Sequence, residues 1–125
     1  MLELMNDVPT NVAGFRAKGE VTKEDFENVL IQKIDACAKQ FGELRFLMVL
    51  ETDIKNFTLG AWMEDAKVGL KHFTKWHRMA IVTDQKGVEK FSDLFGIAVP
   101  GESKGFPLIE LSQAIEWVSA IVGEA

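Results

Sequence analysis

The sequence predicts an α/β domain built on a mostly parallel, five-stranded sheet covered by helices. Three observations predict it. Apolar runs of strand length alternate with stretches of helical period. Two of those runs, Leu44–Leu50 and Met79–Val82, are nearly free of polar residues, as strands buried on both faces require. The chain has 125 residues, enough for one domain with one well-buried core. The expected order is β-β-α-β-α-β-α-β-α over a single domain, 1–125, with right-handed crossovers between parallel strands.

Each element has its own signal. Leu2–Met5 is a short apolar strand, and Asn6, Asp7 and Pro9 mark a turn after it. Val12–Val21 reads as a second strand, where Gly14 and Gly19 point to a bulge or a close approach. Thr22 is placed as a helix N-cap, followed by Glu24 and Asp25, acids that suit the positive end of the helix dipole. Phe26, Val29, Leu30, Ile34, Cys37, Ala38 and Phe41 recur at helical spacing, and Gly42 sits where a C-terminal cap belongs. Leu44–Leu50 is the central strand, ending before Glu51, Thr52 and Asp53. Met79–Val82 is the next, ending before Thr83 and Asp84. Glu89–Phe95 reads as a helix stopped at Gly96. Pro100, Gly101, Glu102 and Ser103 read as a loop. Phe106–Ile109 reads as a last short strand. Ser112 is expected to cap a final helix whose core face carries Ala114, Ile115, Val118, Ile121 and Val122.

Composition excludes several classes. With 14 basic and 19 acidic residues, the net charge of −5 disfavours nucleic acid as a partner. Cys37 is the single cysteine, so no internal disulfide forms, and no Cys/His cluster has metal spacing. The start of the chain lacks a basic, then long apolar signal, and no apolar run reaches the length of a membrane span. A cytoplasmic location is expected. Nine Phe and three Trp but no Tyr mean that aromatics fill volume rather than supply hydroxyls.

The richest stretch is Leu59–Asp84. At about 100° per residue, Leu59, Trp62, Met63, Ala66, Leu70 and Phe73 fall on one helical arc. Lys67, Lys71, Lys75 and Arg78 fall on the neighbouring arc if the helix lasts that long, and Phe57, Val68 and Trp76 lie off the apolar arc. Acids early and cations late is what the helix dipole favours by itself. The sharper reading is a helix facing a membrane or an anionic ligand, apolar on one side with a basic rim.

Strand and helix order resembles that of the SpoIIAA-like family, and so do three segments. These are D-A-K-x-G-L-x-H (Asp65, Ala66, Lys67, Gly69, Leu70, His72), the strand end Val82, Thr83, Asp84, and the turn Pro100, Gly101, Glu102. The resemblance spans nearly the whole chain. That family shares its fold with STAS domains, such as anti-sigma factor antagonists, and with CRAL-TRIO lipid-binding domains. Kinship with the latter implies an apolar ligand under a movable helix, and kinship with the former a surface switched by phosphorylation. Anti-sigma antagonists carry an Asp-Ser pair at the helix after the central strand. Here the stretch from Asp53 to Gly60 lacks it, and Thr58 is the hydroxyl nearest that helix start, as an N-cap or a phosphosite. Many relatives carry a Trp shortly after the strand-end Asp, where this chain has Gln85, Lys86 and Gly87. They often have Arg where it has Lys104, which keeps the charge without the bidentate fork.

No motif of a hydrolase, kinase or dehydrogenase is present, and no residue is assigned a catalytic role. Ligand sites in open α/β sheets lie beyond the C-terminal strand ends, where Glu51, Asp53, Thr83 and Asp84 fall. Capping and loop solvation are the favoured explanation of those residues. His72 and His77 are five apart, which is not a zinc spacing on a helix. The expectation is therefore a non-enzymatic module, without cofactor or metal, that binds a lipid-like or amphipathic small molecule. The helix from about 57 to 75 acts as a lid. Trp62, Met63, Ala66, Leu70, Phe73 and Trp76 contact the ligand, and Lys67, Lys71, Lys75 and Arg78 meet an anionic membrane surface at its inner face. The alternatives are a STAS-type regulatory interaction domain without a cavity, and a homodimer whose interface covers the surplus apolar surface.

Overall fold

The computed structural model describes residues 1–51, 75–84 and 102–120. Within them, β1 (Leu2–Leu4), β2 (Ala13–Ala17), β3 (Leu44–Leu50), β4 (Trp76–Thr83) and β5 (Glu102–Pro107) form one sheet in the order β1-β2-β3-β4-β5. β1 is antiparallel to β2, and each later neighbouring pair is parallel. The edges are β1, three residues long, and β5, which carries Lys104 and ends in Pro107.

All seven residues of β3 are buried, because both sheet faces are covered there. Alternation along the strand divides them between two cores. Leu44, Phe46, Met48 and Leu50 join Phe15, Ile34 and Trp76 on one face. Leu47 and Val49 join Val12, Val82, Phe106, Ala114 and Val118 on the other. The first face is packed by a helical stretch in three pieces: α1 (Lys23–Asp25), a π-helical turn (Phe26–Leu30) and α2 (Ile31–Phe41). The second is packed by α3 (Leu111–Ser119), entered through a 3₁₀ turn over Leu108–Glu110.

Local chemistry sets the ends of the first helical stretch. Thr22 and Asp25 form a capping box: the Asp25 backbone N–H donates to Thr22 Oγ1 (3.3 Å), and the Thr22 N–H donates to Asp25 Oδ2 (2.9 Å). Gly42 closes α2 at φ 73°, a left-handed conformation that costs a residue with a Cβ, and its N–H donates to Ala38 O at 3.0 Å. Gly14 lies against the β1–β2 connection, where an added Cβ would stand 3.3 Å from Val8 Cγ2, so the expected close approach is real.

Several boundaries differ from the sequence expectation. β2, Ala13–Ala17, occupies only the earlier part of the predicted run. β4 starts at Trp76, ahead of Met79, so Trp76, His77 and Arg78 are strand residues and not the last turn of an amphipathic helix. Trp76 is drawn into the sheet by burial beside Phe46, with ring centroids 5.9 Å apart and planes at 84°. Glu102 and Ser103 belong to β5, and Leu108 and Ile109 lie past its end in the 3₁₀ turn. Pro107 has no N–H to continue the ladder, and the turn begins directly after it. Glu110, not Ser112, occupies the N-cap position of α3, without a side-chain cap, because the 3₁₀ turn has already wound the chain before Ser112 is reached. The expected helix at Glu89–Phe95 and the last residues of the final helix, Ile121 and Val122, lie outside the described residues.

Candidate functional site

The parallel strands give the sheet two chemically distinct ends. At the C-terminal end stand Glu51, Thr83 and Asp84, which the sequence marks as candidates. Glu51 is committed to the sheet rim: its Oε1 lies 2.5 Å from Arg16 Nη1 and its Oε2 3.8 Å from Lys18 Nζ. Thr83, the last residue of β4, is buried, and Asp84 beside it is exposed. Asp53 lies outside the described residues, so Glu51, Thr83 and Asp84 are the described candidates at that end.

The N-terminal end is organised by a bulge. Leu44 pairs with Trp76 and Arg45 with Arg78, so His77 is an extra residue on β4. The extra residue shifts the alternation of β4 by one position. Arg78 is thereby placed on the same face as Arg45, beneath α3, and the two arginines cap its C-terminus. Arg45 Nη1 donates to Val118 O (2.9 Å) and Ala120 O (2.6 Å), and Arg78 Nη1 donates to Trp117 O (2.6 Å). Asn11 Nδ2 donates to the carbonyl between them, Ser119 O, at 3.2 Å. A helix leaves its last four carbonyls without partners inside the helix. Here each of these four is met by a side chain from elsewhere in the fold. Arg78 also lies over the Trp117 ring, 5.0 Å from its centroid, with Glu102 Oε2 3.8 Å from its Nε.

Arg45 is 2% exposed and needs compensation beyond those carbonyls. Glu43 provides it: its Oε1 accepts from Arg45 Nε (3.3 Å) and Nη2 (3.2 Å), while its Oε2 lies 3.7 Å from His77 Nδ1. His77 Nε2 and Arg78 Nε are buried without a hydrogen-bond partner. Cys37 is buried in the first core. Desolvation raises its thiol pKa above the ordinary 9.0, and the nearby Lys33 opposes the shift. The described residues hold no group of three His, Cys, Asp or Glu able to bind a metal. None of their helices is long and apolar enough to cross a membrane.

The other sequence candidates divide as follows. Thr58, Trp62, Met63, Ala66, Lys67, Leu70, Lys71 and Phe73 lie outside the described residues. Lys75 is exposed, immediately before β4. Trp76 is buried on the first face, and Arg78 on the opposite face is committed to α3, so the two do not share a helical surface with Lys75. Arg45 and Glu43 were not among the candidates. The signal for Arg45 was a single cation within an apolar strand, which has to find buried acceptors.

These features define a small α/β domain with a mixed sheet, one helical layer on each face and a charged seam under the last helix. A family model described as SpoIIAA-like matches residues 12–119, and the chain belongs to that family. The chain is similar to a crystal structure of an uncharacterized protein of the DUF3478 family with a SpoIIAA-like fold, from Shewanella loihica PV-4. The two share 27% identity over 94% of this chain and 90% of the other, with a TM-score of 0.67. No curated protein matches the chain.

Proposed function

We propose that this chain is a non-enzymatic binding module for a lipid-like or amphipathic small molecule, with the segment at about 57–75 acting as its lid. One observation carries the reading. The connection over residues 52–74 joins β3 to β4, two neighbouring strands that pair in parallel. The strands it joins present Phe46, Met48, Trp76, Met79 and Ile81 on one face. The connection itself carries Trp62, Met63, Ala66, Leu70 and Phe73 at helical spacing. Methionine and aromatic side chains on both partners suit a site that accepts varied apolar shapes. Lys67, Lys71 and Lys75 steer the lid to anionic headgroups, each worth about 1 kcal/mol near such a surface. Arg78 takes no part, since its guanidinium is held by Trp117 O.

Native mass spectrometry of the purified protein, followed by denaturing extraction and lipid analysis, tests this reading. A stoichiometric fatty acid or phospholipid supports it and names the ligand class. An empty protein that also gains no mass with added fatty acids and phospholipids refutes it. Unchanged liposome binding after Lys67→Glu, Lys71→Glu and Lys75→Glu together refutes the electrostatic part.

A further inference from the structure

A cavity of about 470 Å³ opens at the N-terminal end of β3, at the opposite end of the sheet from the strand ends where α/β ligand sites ordinarily lie. Thr10, Asn11, Phe41, Glu43, Arg45 and Ser119 stand in its wall. Three features make it a place for positive charge. α2 ends there with Phe41, and a helix C-terminus carries partial negative charge, whereas the terminal carbonyls of α3 are already met by Arg45, Arg78 and Asn11. The Glu43 side chain, in the wall, is 42% exposed. Phe41 is 37% exposed, an aromatic left open to solvent where the sequence pattern calls for core, and its ring faces attract cations.

Arg45 is the opposing charge, and the fold turns it away. Four of its five guanidinium hydrogens are directed to Val118 O, Ala120 O and Glu43 Oε1. His77 lies against the other Glu43 oxygen, with Nδ1 at 3.7 Å. The remaining polar groups are richer in acceptors than in donors. Asn11 commits an amide hydrogen to Ser119 O and keeps its carbonyl oxygen, and Thr10 and the Glu43 carboxylate add further lone pairs.

We propose that this cavity binds a small primary ammonium ion carried on a short apolar chain. The ammonium sits at Glu43, and its methylenes lie against Phe41. The site is independent of the lid and of the ligand proposed for it, so either stands if the other fails.

Titration of ¹⁵N-labelled protein with n-butylammonium chloride, followed by amide chemical shifts, is the test. The expected result is saturable shifts confined to residues around Asn11, Phe41–Arg45 and Ser119. Glu43→Gln, which keeps an acceptor for Arg45, weakens binding about tenfold, and Phe41→Leu weakens it about two- to fivefold. Unchanged amide shifts elsewhere show that both variants remain folded. Three results overturn the proposal: no saturable shift up to about 50 mM, the same shifts with neutral n-butanol or with sodium chloride, or equal affinity in folded Glu43→Gln.

Discussion

Replacing Arg45 with Met keeps much of the buried volume and removes the guanidinium from beneath α3. The substitution leaves Val118 O and Ala120 O without the donor that reaches them at 2.9 and 2.6 Å, and it strips Glu43 of its closest cation. A hydrogen bond to a charged group contributes about 1.5–3 kcal/mol net. Breaking a buried charge network by removing one partner costs about 3–5 kcal/mol. Glu43 can turn to solvent and Met fills space, so the expected loss lies near the lower end, about 3 kcal/mol. That is a large share of a domain's stability, which is about 5–15 kcal/mol. Urea unfolding followed by tryptophan fluorescence reads the change as a shift of midpoint at constant slope. Amide exchange adds the location: protection falls first over Ala114–Val118, the part of α3 that packs on the sheet. Arg45→Lys rescues only part of the loss, because an ammonium cannot reach two carbonyls and a carboxylate in one plane. A loss below about 1 kcal/mol for Arg45→Met, in the range of an exposed pair, would refute the reasoning.

Thr22→Ala removes one half of the capping box and is expected to cost about 1 kcal/mol, read by thermal or urea unfolding, with Thr22→Asn restoring most of it. Gly42→Ala meets no atom within 4 Å, so its cost is backbone strain alone, about 1–2 kcal/mol in the same assay. Burial raises the Cys37 thiol above its ordinary value of 9.0, so the unfolded chain ionises first as pH rises. The stability that Cys37 contributes is therefore fully present below pH 9.0 and is lost as pH rises above it, and Cys37→Ala removes that part of the decline in unfolding measured across the alkaline range.

The parts of the fold legible in the sequence are those set by local chemistry. Leu44–Leu50 is the strand the apolar run predicts. Thr22 and Gly42 bound the first helical stretch as their residue types demand. What escaped was set by contacts distant in sequence. Arg78 fits helical spacing with Lys67 and Lys71, and Trp76 is expected at the ligand with Trp62 and Phe73, yet Trp76 belongs beside Phe46 and Arg78 beside Trp117. Only the bulge at His77 reconciles both with one strand, and a bulge leaves no mark in hydrophobic period. Ser112 was chosen as a cap by residue type, whereas the start of α3 is decided by Pro107 and the turn after it. Of the candidate site, Thr83 and Asp84 stand at the strand end where the sequence puts them. The arginine seam went unnoticed because its acceptors are backbone carbonyls, to which any residue type contributes.

Strand order in this sheet follows chain order, so each strand emerging from the ribosome finds its neighbour already made. The face under α3 is different. Val12, Leu47, Val49, Ala80 and Val82 are synthesised well before Ala114 and Val118 arrive to cover them. The acceptors that satisfy Arg45, at Val118 and Ala120, come later still. A nascent chain halted before Leu111 therefore exposes apolar surface and a guanidinium without its carbonyls, which is the state a chaperone binds or a protease clears. Formation of α3 closes both defects in one step.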